Sequence, residues 1–219
     1  RDLNGKPLIE YTIEGAISSG VFDRVIVSTD HDKIKEASIK AGAEVPFIRP
    51  ADISEDVETE LVLQHAVTFL EDNNYYPDAI ALLQPTSPFR STKTMQDAVE
   101  ILKNNLDADS VVAVNNVEGY RPEWMMRLGP ENEVIPWDTP FMLNGKPIIK
   151  LVARQSFPTC YKQNGVFYIA KRDLLMKHCL MIGEKAYAVE TSELEAIDID
   201  TELDLKIAEV IMNNQENQP

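Results

Sequence analysis

The chain has 219 residues, 44% hydrophobic and 26% charged, with 21 bases against 36 acids for a formal net charge of −15. This is ordinary globular usage for one good-sized domain, or a domain with an arm, and it argues against a disordered chain. No apolar run approaches the roughly 20 residues that cross a bilayer, and the acidic balance argues against sequence-independent binding to nucleic acid or to an anionic membrane surface.

In chain order, Asn4-Gly5-Lys6-Pro7 reads as a turn leading into a helix over 8–19, where Leu8, Ile9, Thr12, Ile13, Ala16 and Ile17 keep helical spacing. Arg24 to Thr29 is a short β-branched strand, 32–41 a second helix with Gly42 at its C-terminal cap, and Glu44 to Ile48 another short strand. A longer helix follows through Leu61, Leu63, Ala66, Val67 and Leu70, then a strand over 79–83 apolar enough to be buried on both faces. Residues 94–102 are helical and 109–114 a strand. Strands alternating with helices of this length predict an α/β fold, a mostly parallel sheet flanked by helices.

Between Gly119 and Gln163, prolines at 122, 130, 136, 140, 147 and 158 break the rhythm and predict an inserted arm, with a hairpin over 125–137. Strand character resumes at 166–169 and again at 186–189, with a short helix over 174–178 between. Asp198 and Asp200, on a presumed strand with Ile197 and Ile199 facing the core, run into a helix over 201–212, and 213–219 reads as a frayed polar tail. Asn-Gly-Lys-Pro recurs at 144–147, which turn chemistry explains without a structural repeat.

In doubly wound sheets, ligands sit beyond the carboxyl ends of the strands. Three polar segments follow apolar strands in this way: Ser28-Thr29-Asp30, Gln84 to Arg90, and Asp198-Ile199-Asp200. The Gln84 to Arg90 loop holds an amide, the hydroxyls of Thr86 and Ser87 and a guanidinium, stiffened by two prolines. It reads equally as a ligand contact and as a proline-rich turn whose Thr86 and Ser87 cap the next helix. Asp198 and Asp200 can share Mg²⁺, a hard ion that takes its other ligands from water and phosphate. The competing reading is helix capping, since Thr201-Glu202-Leu203-Asp204 has capping-box-like spacing. Arg154 suits carboxylate or phosphate recognition and Tyr168 offers a ring with a hydroxyl tip, against a surface ion pair and a core tyrosine. Arg49 reads as a contact or a solvated charge. The three histidines have no metal or triad spacing. Cys160 and Cys179 lack any C-x-x-C pattern and read as reduced thiols of a cytoplasmic protein without a secretory signal.

Taken together, N-G-K-P-L-I-E-Y-T-I-E (4–14), F-D-R-V-I-V-S-T-D (22–30), G-A-E-V-P-F-I-R-P-A-D (42–52), L-L-Q-P-T-S-P-F-R (82–90), R-Q (154–155), N-G-V-F-Y (164–168) and D-I-D-T-E-L-D (198–204) resemble the acylneuraminate cytidylyltransferase family, across nearly the whole chain. The resemblance implies a Rossmann-like nucleotidyltransferase forming a single domain over 1–219. It would join CTP to a nine-carbon 2-keto-3-deoxy sugar acid of sialic, legionaminic or pseudaminic type and release pyrophosphate. It further implies Mg²⁺ on Asp198 and Asp200, one of which assists proton loss from the attacking hydroxyl, and a sugar pocket of Gln84, Thr86, Ser87, Arg154 and Tyr168. Arg49 and Thr59 would lie on the cytosine side. The 119–163 arm would form a homodimer whose partner chain helps close the sugar site.

Two departures qualify the match. The family begins with an apolar strand, central in its sheet, and a Gly/Ser/Arg/Lys loop that cradles the triphosphate; the chain here opens at Arg1-Asp2-Leu3, so an upstream piece is expected. Trp124 follows Arg121-Pro122-Glu123 where sialic-acid-specific members commonly place lysine, which points to a legionaminic-like or pseudaminic-like sugar. The rival readings are a GT-A-like glycosyltransferase, whose Asp-x-Asp pair usually sits mid-chain, and an inactive nucleotide-sugar-binding subunit.

Overall fold

In the computed structural model, which describes residues 1–117 and 119–216, the chain opens with a small hairpin. β1 (Asp2–Leu3) and β2 (Lys6–Pro7) pair antiparallel across Asn4 and Gly5, at φ +49° and +74°. Two successive left-handed residues make the type I′ turn that Asn-Gly adopts at low cost. Pro7 leads straight into α1 (Leu8–Ser19), which ends at a left-handed Gly20.

The segments over 24–29 and 44–48, expected as strands, share a single parallel bridge between Ile26 and Glu44. It is framed by Val27 N–H to the Glu44 carbonyl at 2.9 Å and Glu44 N–H to the Val25 carbonyl at 2.8 Å. A lone bridge does not make a ladder. Residues 21–29 otherwise line a cavity of about 1210 Å³ that they share with 75–83.

After α2 (Asp32–Lys40) and α3 (Thr59–Asp72) come β3 (Ala79–Leu82), α4 (Thr92–Asn104) and β4 (Ser110–Asn116). Two small antiparallel pairs follow: β5 (Met126–Leu128) with β6 (Val134–Pro136), and β7 (Met142–Leu143) with β8 (Lys146–Pro147). The second turns on Asn144 and Gly145, at φ +52° and +74°, so the repeated tetrapeptide folds the same way twice. β9 (Tyr161–Lys171), α5 (Arg172–His178), β10 (Ala186–Glu190) and α6 (Glu202–Glu216) complete the chain. The tail expected to fray from 213 is helical as far as Glu216, and 217–219 lie outside the described residues.

The chain divides into two compact units, Arg1–Val114 with Gln163–Pro219, and Asn115–Lys162. The first holds a four-stranded sheet in the order β10-β4-β9-β3, with β4 and β10 parallel and β3 and β9 antiparallel. Strand periodicity of two sends its side chains into two helical layers. Ala79, Ala81, Phe167 and Ile169 pack with Met95, Ala98, Val99 and Leu102 of α4, while Ile80, Leu82, Tyr168 and Ala170 pack with Val67 of α3 and Leu175 of α5. This is the α/β architecture expected, a sheet between helices.

In the second unit, the Arg121 guanidinium is 3% exposed, donates to the Pro158 carbonyl at 2.5 Å and lies 5.1 Å from the Phe157 ring. Trp124 and Phe141 both meet Phe157 edge-on, with centroids 6.3 and 6.2 Å away. Outside this cluster the unit exposes Leu128, Val134, Trp137, Met142, Leu143 and Leu151.

Candidate active site

The site grows from the end of β3. Beyond Leu83, Gln84 keeps one more rung of pairing, its N–H donating to the Gly165 carbonyl at 3.4 Å. The chain then leaves the sheet in two tight turns, the first closed by Ser87 N–H to the Gln84 carbonyl at 3.3 Å. Arg90 holds this loop from beneath. Its guanidinium donates to the Gln84 carbonyl at 2.8 Å, to Thr12 Oγ1 at 3.3 Å and to the Val166 carbonyl. Burial pulls its pKa down to about 10, against the opposing charge of Glu195. Expected among the loop's ligand groups, this guanidinium is instead turned inward, where those acceptors and the Gly165 carbonyl at 3.5 Å satisfy it. The next helix, α4, is capped by Ser91, whose Oγ accepts from Thr94 N–H at 3.1 Å. Thr86 and Ser87 are therefore not its caps.

Asp198 and Asp200 lie on irregular backbone rather than on a strand. What orders this segment is the Ile199 N–H donating to the Thr86 carbonyl at 2.9 Å, with the Ile199 side chain buried beside Leu3 and Ala208. Asp198 is half-buried, and its Oδ1 is fully buried without a hydrogen-bond partner. The Tyr168 hydroxyl has its pKa raised by burial first and by the negative charge of Asp198 second, so the two groups are electrostatic neighbours. Capping of α6 falls to other residues. Asp204 Oδ2 accepts from Thr201 N–H at 2.8 Å and Thr201 Oγ1 at 2.7 Å, while Asp204 N–H donates back to Thr201 Oγ1 at 3.2 Å. The capping reading of Thr201 and Asp204 is thus correct, and it leaves the Asp198 carboxylate for another use.

Gln84, Thr86, Ser87, Tyr168 and Asp198 are thereby joined around one end of the sheet. Arg49 and Thr59 share the 1210 Å³ cavity. The Arg49 guanidinium is folded back on Ser28, donating to its carbonyl and, at 3.2 Å, to its hydroxyl, and Thr59 is an exposed first residue of α3. Arg154 belongs to the second unit, in a short 3₁₀ turn, Arg154–Ser156.

Glu195 escaped the sequence reading. One of its oxygens accepts from Ser91 N–H at 3.1 Å and Thr94 Oγ1 at 2.5 Å, the other from Ser192 N–H at 3.1 Å and Ser192 Oγ at 3.0 Å. The available signal was Ser192-Glu193-Leu194-Glu195, the S-x-x-E spacing of a capping box.

Among the described residues no cluster of three or more His, Cys, Asp or Glu could hold a metal ion. An unpartnered, buried carboxylate oxygen on Asp198, with a second carboxylate two residues on, does fit an ion that takes its remaining ligands from substrate oxygens and water. No helix among the described residues is long and apolar enough to cross a membrane.

The motif resemblance is borne out by comparison with known proteins. A family model described as Cytidylyltransferase matches residues 1–217. The chain is 32% identical over 225 residues to a CMP-N,N'-diacetyllegionaminic acid synthase of Legionella pneumophila, covering 99% of this chain and 90% of that protein. It is 28% identical over 211 residues to a pseudaminic acid cytidylyltransferase of Campylobacter jejuni, covering 96% and 87%. A solved CMP:2-keto-3-deoxy-manno-octonic acid synthetase complexed with CTP shares the fold, with a TM-score of 0.68 at 15% identity over 98% of this chain and 91% of that one. The chain belongs to the cytidylyltransferase family, and it is a nucleotidyltransferase.

Proposed function

We propose that the enzyme joins CTP to a nine-carbon 2-keto-3-deoxy sugar acid, of legionaminic or pseudaminic type, and releases pyrophosphate. The observation that carries this reading is the buried, unpartnered Oδ1 of Asp198, set beside Tyr168 and tied through Ile199 to the Gln84 loop. A carboxylate oxygen buried without a partner bears a desolvation cost that a bound ligand would offset. Relatives named for legionaminic and pseudaminic acids, together with Trp124 in place of lysine, support the choice of sugar.

Asp198 and Asp200 would hold Mg²⁺. When bound, the ion supplies neutralisation of phosphate charge and lowers the pKa of the attacking hydroxyl. Gln84, Thr86, Ser87 and Tyr168 orient the sugar acid, and Arg49 and Thr59 take the cytosine side. The anomeric oxygen forms a bond to the α-phosphorus as the α,β-bridging P–O bond breaks and pyrophosphate leaves. The hydroxyl proton passes to a carboxylate of the Asp198–Asp200 pair. Phosphoryl transfer of this kind asks mainly for positioning and charge stabilisation. In a chain of net charge −15, the charge stabilisation must come from the ion and arginine side chains.

We read the second unit as the surface of a cytoplasmic homodimer. Its support is the exposed apolar set around Leu128, at 66%, Trp137, at 63%, and Leu151, at 98%. The test of the activity is a coupled pyrophosphate assay with CTP, Mg²⁺ and a panel of sialic, legionaminic and pseudaminic acids. Pyrophosphate is expected with a legionaminic or pseudaminic acid in preference to sialic acid, and silence with all three would overturn the reading.

A further inference from the structure

Gly165 sits buried in β9, and its φ is not among the positive values found at Gly5, Gly20, Gly42 and Gly145. Its backbone is therefore open to any residue. A glycine inside a strand weakens it, since it loses more chain entropy on folding and packs nothing. Space explains its presence. A Cβ added there would lie 2.0 Å from Gln84 Oε1, 3.1 Å from Gln84 Cδ and 3.2 Å from Ser87 Oγ. The Gln84 carboxamide thus lies directly against the bare Cα. The main chain at this point is already fixed, by Gln84 N–H on the Gly165 carbonyl and by Arg90 on the Gln84 carbonyl.

We propose that Gly165 is a positioning residue for the sugar acid: by lacking a side chain it lets the Gln84 carboxamide rest on β9, at the same point that the buried, unpartnered Ser87 hydroxyl approaches. The inference rests on the sugar-acid role proposed for Gln84 and adds what sets that residue's geometry. A methyl at 165 meets the free end of a side chain and not backbone, so the fold absorbs it by moving the carboxamide. Stability and recognition should then part company.

The test compares Gly165→Ala, Gln84→Ala and the double variant. Gly165→Ala is expected to unfold at the wild-type temperature or above it. Its KM for the sugar acid should rise about tenfold, the size of effect when a positioned hydrogen bond is lost, with KM for CTP unchanged. The double variant should be no worse than Gln84→Ala alone, because both changes remove one interaction. Additive losses, or an unchanged sugar KM, would overturn the inference. A readout without turnover separates it from the functional reading. In a ¹⁵N spectrum the Gln84 carboxamide pair is identified by its disappearance in Gln84→Ala. Displacement of that pair in Gly165→Ala supports the inference, and an unmoved pair sinks it even if the protein turned over no sugar acid at all.

Discussion

The Glu195 carboxylate accepts the backbone N–H of Ser91 at 3.1 Å across 104 residues of sequence, bolting the segment that leads to Asp198 onto the start of α4. Burial by itself would raise this carboxyl's pKa, but hydrogen bonds from Thr94, Ser91 and Ser192 outweigh burial and set it below the ordinary 4.5. A folded pKa below the unfolded one contributes stability that is full above about pH 4.5 and lost as pH falls through the folded value. Glu195→Gln should therefore lower stability near pH 7 by roughly 1–2 kcal/mol. The gap between variant and wild type should close below pH 4.5. Urea titrations across pH 3 to 7 measure this, and a gap constant with pH would contradict it.

Asp198→Asn and Asp200→Asn should each cut pyrophosphate release about 100-fold or more, the scale of losing one electrostatic contributor to a transition state. Chelation of divalent ions should abolish it reversibly. Because Asp198 Oδ1 has no hydrogen-bond partner and Thr201 with Asp204 caps α6, Asp198→Asn should melt within a few degrees of wild type. Loss of activity through unfolding would show instead as a large drop in melting temperature.

Removing the charge at Asp198 should also bring the Tyr168 pKa down toward its ordinary value of 10.0, leaving only the larger effect of burial. Tyrosinate absorbance on titration, with Tyr168→Phe identifying this residue among the seven tyrosines, would register the change. An unchanged value would mean the two groups are not neighbours.

Arg90→Met should destabilise by roughly 2–3 kcal/mol, since the carbonyls of Val166 and Gln84 would lose their guanidinium donor, the latter keeping only the Ser87 N–H. The denaturation midpoint should fall with its slope unchanged. Stability equal to wild type would mean that these carbonyls find other donors.

Leu128→Asp with Leu151→Asp should weaken self-association about tenfold or more if their exposed side chains form the contact between copies. Sedimentation velocity would show a shift toward monomer, and an unaltered profile would remove these two residues from the interface.

Local signals were legible wherever one short window contains the whole cause. The helix Leu8–Ser19 follows from apolar spacing closed by Gly20, and both Asn-Gly turns from a pair that readily takes two left-handed residues in succession. The capping pair of Thr201 and Asp204 was visible for the same reason. The strands expected over 24–29 and 44–48 were misjudged because a strand is defined by its neighbours, and those segments share only one bridge.

By itself, the order of residues determined the family, the alternation of helix with strand, and that the polar segment from Gln84 to Arg90 follows a strand, since these depend on composition and spacing along the chain. The tertiary structure alone decided that Arg90 faces inward, that Glu195 ties two loops together, and that Gly165 lies beneath Gln84. Each of these joins groups 75 or more residues apart. Packing and desolvation act between neighbours in space, and nothing in a linear pattern states which neighbours those will be.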